Sequence, residues 1–281
     1  MAQYDFFELE RENVHNMMRD YITGKDEKNF LIMLARCDVN ATYESEDYNT
    51  LDDLKPLHGF LHLGRKYYCE RTKDKFKQGL DALLAAEADV NLLDGFGQTA
   101  IFNLFYLFSD DLYLLFSYID KFVAAGAKVN ITDIRENSLL LKILTEIHRC
   151  VRQRADRSVA DSWAIEVVKY LLKTTDLDLN FTNMRGETVL SRYYIDPQIA
   201  DLPKRLTTGY SNRLLAFLEA EGLKFEKKDK WSLSPLEREI KRNNLREFLR
   251  LCVVGVKIPA DMDESFLDLM FRAAENILKQ K

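Results

Sequence analysis

A four-residue step recurs along this chain and limits what it can fold into. The step is an apolar residue, any residue, a second apolar residue and asparagine, and it occurs at 88–91, 127–130 and 177–180. A fourth copy at 223–226 has Glu226 in the asparagine position. A hydroxyl residue follows each step eight positions later, at Thr99, Ser138, Thr188 and Ser234. Such self-similarity predicts a solenoid in which each repeat packs only against its neighbours.

One repeat shows what the pattern means physically. Between residues 164 and 172 the apolar residues have helical spacing, which predicts a helix with one buried face that holds Leu171 or Leu172. A polar stretch with the turn formers Asn183 and Gly186 follows. Thr188 then begins a new apolar run, where a hydroxyl can cap the next helix. The repeat is therefore predicted to be a helix, a hairpin-like loop and a capped helix.

These motifs resemble the ankyrin repeat family. The resemblance rests on Ala88-Asp89-Val90-Asn91 with Asp94, Gly97 and Thr99, on Ala125 to Asn130, and on Lys55-Pro56-Leu57-His58, which is similar to the family's Thr-Pro-Leu-His. The spacing between repeats is less regular than the family's usual interval of about 33 residues. Glu136 and Ser232 also occupy positions where the family has a loop glycine, although a Cβ disfavours positive φ.

We therefore expect an all-α, ankyrin-like helical solenoid of about six helix-loop-helix repeats with long loops and a C-terminal capping helix. In one domain spanning 1–281, the first repeat is predicted at 11–40 and the capping helix at 264–278. The further repeats are predicted at 56–91, 99–130, 138–180, 188–226 and 234–258.

Charge and composition exclude several classes of protein. The net charge of −5 argues against a general nucleic-acid binder, which needs a basic stripe, and it suits a basic protein partner. No apolar run reaches the ~18 residues that a membrane span requires. The four cysteines lie far apart and no secretory signal is visible, so we expect a reduced, cytoplasmic protein.

No motif predicts catalysis or a cofactor. His58 and His62 have metal-ligand spacing on a predicted helix, but no Glu lies between them. The resemblance implies instead that His58 ties loops together through hydrogen bonds. Adjacent carboxylates such as Asp110 and Asp111 are typical of caps and solvated loops. We therefore expect no metal, no cofactor and no enzymatic activity; the alternative is an enzyme or small-ligand-binding protein on a helical scaffold.

The loop tips carry side chains that folding does not explain. Four and five positions after each asparagine position lie Gly95-Phe96, Ile134-Arg135, Met184-Arg185 and Lys230-Trp231. Large apolar residues and Arg are typical interface hot spots, while the alternative is that each folds back onto its own loop. In the ankyrin family the tips and inner helices form the concave binding face.

The sequence thus predicts a protein-protein interaction module that acts by occupancy. The predicted partner-binding residues are Phe96, Arg135, Met184, Arg185 and Trp231 at the tips, with Glu44, Glu46 and Asp47 in a long acidic loop. The irregular repeats resemble free-standing bacterial ankyrin proteins, which implies an inhibitor or toxin-immunity protein as one concrete role.

Overall fold

A computed structural model describes residues 11–42, 55–144, 157–189, 212–224, 228 and 233–241, together with single positions between 248 and 272. Within these ranges the named elements are all α-helices. They are α1 (Arg11–Ile22), α2 (Lys28–Arg36), α3 (Pro56–Tyr67), α4 (Lys73–Ala85), α5 (Ile101–Leu107), α6 (Leu112–Ala124), α7 (Arg157–Thr174), α8 (Asn212–Ala220) and α9 (Pro235–Lys241). Residues 139–144 are also helical.

The chain divides into two compact units. The N-terminal unit comprises Met1–Leu139 with Lys169–Leu177, and the C-terminal unit comprises Leu140–Val168 with Asp178–Lys281. In the N-terminal unit α1 packs against α3 and α3 packs against α5, which forms one row of helices. Helices α2, α4 and α6 each pack against the helix that precedes them in sequence. This alternation of helix pairs is the predicted helical stack.

Aromatic rings fill the core of the N-terminal unit. Tyr21 and Phe30 stack with ring centroids 4.2 Å apart, and Phe60 and Phe76 stack at 4.9 Å. The chain approaches these rings closely at Gly79, where an added Cβ would lie 2.4 Å from Phe60. Glycine is therefore required here for helix packing, although the residue lies within a helix and lowers its intrinsic propensity.

Polar bonds join the outward-facing helices of the same unit. Lys75 of α4 pairs with Glu27, which precedes α2. Lys121 of α6 pairs with Asp81 of α4 at 2.6 Å, and the Tyr170 hydroxyl donates to Asp120 at 2.7 Å. Each pair is exposed and contributes little, but together they align successive repeats.

The helical register agrees with the sequence pattern. Leu171 is fully buried and Leu172 is half-buried, so the predicted apolar face of α7 is confirmed at this point. Ser234 also caps α9 as a hydroxyl in that position predicts. Its Oγ accepts from the Glu237 backbone at 3.3 Å, and the Glu237 carboxylate accepts from the Ser234 backbone at 2.6 Å. This reciprocal pair is a capping box.

Thr99 differs from Ser234, although both occupy the hydroxyl position of their repeats. Its Oγ1 is buried without a hydrogen-bond partner, and α5 begins at Ile101 without a side-chain cap. The capping role expected of this hydroxyl position is therefore wrong for Thr99. The helix begins instead with a tight backbone turn, in which the Phe102 N–H donates to the Thr99 carbonyl at 3.1 Å.

No helix in the described part of the chain is both long and apolar enough to cross a membrane.

Candidate binding surfaces at the loop tips

The recurring asparagine joins one repeat to the next. The Asn91 side chain donates to the Gly126 carbonyl at 2.8 Å and accepts from the Lys128 backbone at 2.8 Å. Asn180 makes the same two bonds within the C-terminal unit, to the Gly222 carbonyl and from the Lys224 backbone. A side-chain amide suits this position because it supplies a donor and an acceptor at once. The repeated asparagine therefore has a structural role, which leaves the rest of each loop as the place for binding residues.

A second Asp or Asn fixes the shape of each loop tip. The Asp133 carboxylate accepts from the backbone N–H groups of Arg135 and Asn137, both at 2.9 Å. Asp94 holds Phe96 and Gln98 in the same way at 2.9 Å. In the C-terminal unit, Asn183 plays this part for Arg185 and Glu187. The tips are thus ordered before anything binds.

The loop turn is retained where a glycine is missing. Gly97 has φ of 65° and Gly186 has φ of 70°, and Glu136 adopts φ of 63° in the equivalent position. A non-glycine residue pays a steric cost in this region of φ/ψ space. The bonds that Asp133 makes on both sides of Glu136 hold the backbone in this conformation.

The tips present large side chains to solvent. Exposed fractions are 38% for Phe96, 66% for Ile134 and 84% for Met184. Arg135 and Arg185 are also exposed. Most of the Met184 side chain lies away from its own loop, so a fold-back onto the loop does not account for it. The outward projection of these side chains gives each unit a surface with an apolar residue beside an arginine.

Two of the tips lie side by side in the N-terminal unit. The Ile134 backbone N–H donates to the Phe96 carbonyl at 3.0 Å, and the Gln98 side chain donates to Asp133 at 3.1 Å. Ile134 also covers Gly97, since its Cγ2 lies 2.6 Å from where a Cβ on Gly97 would be. Ile134 is therefore partly a packing residue, and Phe96 is also partly covered, since 38% of it is exposed.

Met184 and Arg185 lie in the C-terminal unit. Trp231 and the acidic residues Glu44, Glu46 and Asp47 lie outside the described residues. Sequence reasoning missed Leu93, which is exposed two positions after Asn91 in the same loop. The signal was the pair Leu92-Leu93, because two consecutive apolar residues are unusual in a loop rich in turn formers.

A buried ion pair lies beneath the tip in the C-terminal unit. Arg238 of α9 donates to the Glu187 carboxylate at 3.0 Å, and these side chains are only 5% and 7% exposed. The Asn183 amide donates to the other oxygen of Glu187 at 2.9 Å. Asn183, which shapes the tip, is therefore bonded to Glu187, and Glu187 is bonded to Arg238. These bonds anchor the loop that contains Met184 to α9.

The contacts of His58 in α3 indicate a structural role. The His58 ring lies 3.1 Å from the Gln98 carbonyl through Nε2, so the expected tie between α3 and the following loop is confirmed. Burial lowers the pKa of His58, which keeps the ring neutral at physiological pH. Across the described residues, His, Cys, Asp and Glu side chains form no cluster of three or more that could hold a metal ion.

Comparisons with known proteins agree with this architecture. No family model and no curated protein sequence matches the chain. Among solved structures, it is similar to an ankyrin repeat domain from Acinetobacter baumannii, with 17% identity over 87% of this chain and 98% of that one and a TM-score of 0.50. This chain therefore has an all-α, ankyrin-repeat-like solenoid fold.

Two further solved structures match with lower TM-scores. A complex of a predatory endopeptidase with an immunity protein from Bdellovibrio bacteriovorus matches with 17% identity over 85% of this chain and 96% of that one, at a TM-score of 0.47. An ankyrin repeat protein designated EF0377 matches with 15% identity over 85% of this chain and 96% of that one, at 0.48.

Proposed function

We propose that this chain is a protein-binding module that acts by occupancy, with partner contacts at its loop tips. The observation that carries the proposal is the pairing of a large apolar side chain with an arginine on preformed tips. Phe96 and Arg135 supply this pair in the N-terminal unit, and Met184 and Arg185 supply it in the C-terminal unit. Aromatic residues and arginine are the residues that most often dominate binding energy at interfaces.

The rigidity of the tips supports the same conclusion. Binding costs less when the contacting segment is already ordered. The bonds from Asp94, Asp133 and Asn183 order the tip backbones in the free protein. Polar loops need only turn formers for folding, so a Met184 side chain that is 84% exposed favours contact with another molecule.

The resemblance to free-standing bacterial ankyrin proteins favours an inhibitory or toxin-immunity role within this proposal. A binder without a catalytic centre acts by covering a surface of its partner or by holding it. The acidic balance of the chain suits a basic partner, because opposite charges raise the association rate.

The test is affinity purification of the tagged chain from its native cell, followed by measurement of the dissociation constant with each protein that co-purifies. Phe96→Ala, Met184→Ala and Trp231→Ala are each expected to weaken binding by roughly 2 kcal/mol without loss of helical content. Tyr113→Ala is the matched control, because Tyr113 is 86% exposed but lies at the start of α6, away from any tip.

A partner that binds all three tip variants as tightly as the unchanged chain would contradict the tip assignment. An inhibitory role further requires that the bound partner lose its own activity. Full partner activity in the complex would leave a binding module without an inhibitory function.

A further inference from the structure

An arginine guanidinium lies over a tyrosine ring in the row formed by α1, α3 and α5. The Arg65 guanidinium, in the last turn of α3, lies 3.6 Å from the centre of the Tyr106 ring of α5. This distance corresponds to van der Waals contact between stacked planes. A stacked guanidinium uses its face against the ring and keeps its N–H donors in the plane, directed toward the surroundings.

Close packing of α3 and α5 keeps this stack in place. Gly64 precedes Arg65, and an added Cβ there would lie 2.5 Å from Phe76 and 3.2 Å from Leu107. The absent side chain allows Leu107 of α5 to approach the α3 backbone. Because Leu107 is adjacent to Tyr106 in sequence, this approach sets the distance between the tyrosine ring and Arg65. The arginine fork is therefore ordered before binding, which removes much of its entropic cost.

Two exposed cations lie next to each other in the last turn of α3. Arg65 is exposed and forms no ion pair with any carboxylate in the described ranges, and the neighbouring Lys66 is also exposed. The pKa of His62, one turn earlier on α3, is lowered to about 4 by burial and then by the charges of Arg65 and His15. Arg65 of α3 and His15 of α1 are thus basic groups close to this imidazole.

A cation at a helix C-terminus often serves only the helix dipole, and Lys66 fits that description. Arg65 makes a more specific contact, because its side chain crosses to a neighbouring helix and is stacked there. Arginine on an aromatic ring is also a combination that concentrates binding energy at interfaces.

We propose that Arg65 and Tyr106 form an anchor for a carboxylate in an acidic segment of a protein partner. A planar guanidinium fork binds a carboxylate through two parallel hydrogen bonds, which supplies both strength and orientation. A nucleic acid fits less well, because its phosphate backbone is bound by a stripe of several basic residues, whereas the exposed cations in the last turn of α3 are Arg65 and Lys66. The proposal rests on the proposed function only in taking the occupant to be a protein, and it adds a contact outside the loop tips.

The probe is a fluorescent peptide of about a dozen residues rich in glutamate, compared with the same peptide carrying glutamine at those positions. Binding to the full chain is followed by anisotropy at low and high salt. The glutamate peptide is expected to bind in a salt-dependent manner, and Arg65→Ala to weaken it about tenfold through loss of the charge-assisted bonds. Arg65→Lys keeps the charge but not the planar fork, so it is expected to recover only part of the affinity.

Arg71→Ala is the matched control, because it removes an exposed arginine a few residues away that is not stacked on an aromatic ring. Its affinity is expected to stay within about twofold of the unchanged chain. Equal binding of the two peptides, no binding of the glutamate peptide at millimolar concentration, or an equal loss in Arg71→Ala would each overturn the anchor. Tighter binding of a single-stranded oligonucleotide at Arg65 would also overturn it, in favour of a phosphate ligand.

The two proposals fail in different ways. Peptide binding that depends on Arg65, with no protein co-purifying from the cell, would leave the anchor chemistry intact and remove the proposed function. A co-purified partner that depends on the tips but tolerates Arg65→Ala, together with a negative peptide result, would do the reverse.

Discussion

At the residue scale, burial decides which charged pair matters. Arg238 and Glu187 are almost fully buried, whereas Lys121 and Asp81 form a comparable pair in which both side chains are more than 40% exposed. Water screens the exposed pair and makes its net contribution small. The buried pair has lost its hydration, so each member depends on the other and on the Asn183 amide that also bonds Glu187.

We expect Arg238→Ala to lower the free energy of unfolding by about 3–5 kcal/mol, because it leaves the Glu187 carboxylate buried without its charged partner. Lys121→Ala is the control and is expected to cost less than about 1 kcal/mol. Urea denaturation followed by circular dichroism measures both. Similar costs for the two variants would mean that Glu187 is hydrated or protonated once Arg238 is removed.

At the element scale, α3 is a tightly packed helix that carries two histidines with lowered pKa values. Its inward residues pack tightly, and its N-terminus is tied to the following loop through His58. Burial lowers the pKa of His58 and of His62 on the same helix. A helix whose histidines are held neutral is stable at neutral pH and weakened by acid.

The sign of the pH effect follows from His62. Its pKa is about 4 in the folded protein, mainly because of burial, against 6.5 for a free imidazole. Between these pH values the unfolded chain binds more protons at His62 than the folded chain does. The contribution of His62 to stability is therefore full above pH 6.5 and declines as the pH falls toward 4. His58 acts in the same direction.

We therefore expect the denaturant midpoint to fall between pH 7 and pH 5, and His62→Gln to reduce that fall, because it removes one of the groups that must take up a proton. Stability at each pH is measured by chemical denaturation of both proteins. The same decline in His62→Gln as in the unchanged chain would assign the acid sensitivity to other groups.

At the scale of the whole molecule, net charge affects the rate of association with a partner rather than the fold. The net charge is −5, and the segment between Glu44 and Asp53 concentrates acidic residues. Long-range attraction between these acidic residues and a basic partner raises the association rate and is screened by salt.

Replacement of Glu44, Glu46 and Asp47 by their amides is expected to slow association with a basic partner and to flatten its salt dependence, with a smaller effect on dissociation. Stopped-flow or surface-plasmon measurements at two ionic strengths separate the two rates. An effect on dissociation alone would show that these residues make direct contacts instead of steering the encounter.

The helices and loops could be predicted from the sequence because their causes are local. The apolar period of 3.6 residues placed the buried face that includes Leu171, and the turn formers placed the loop that contains Asn183 and Gly186. The tip residues could be selected for the same reason, since large side chains stand out against polar turn chemistry. Their exposure could not be predicted, because it depends on whether a neighbouring loop covers them, as Ile134 covers Gly97.

The sequence by itself thus determined the secondary structure, the repeat and the positions of the tips, which all depend on residues within one or two helical turns. Only the tertiary structure decided which carbonyl Asn91 bonds, that Arg238 pairs with Glu187 across 51 positions, and that Arg65 stacks on Tyr106. These contacts join residues from different repeats, and repeat spacing in this chain is irregular. Distances between distant residues depend on how helices pack, and a close approach such as that at Gly64 changes them without any signal in the local pattern.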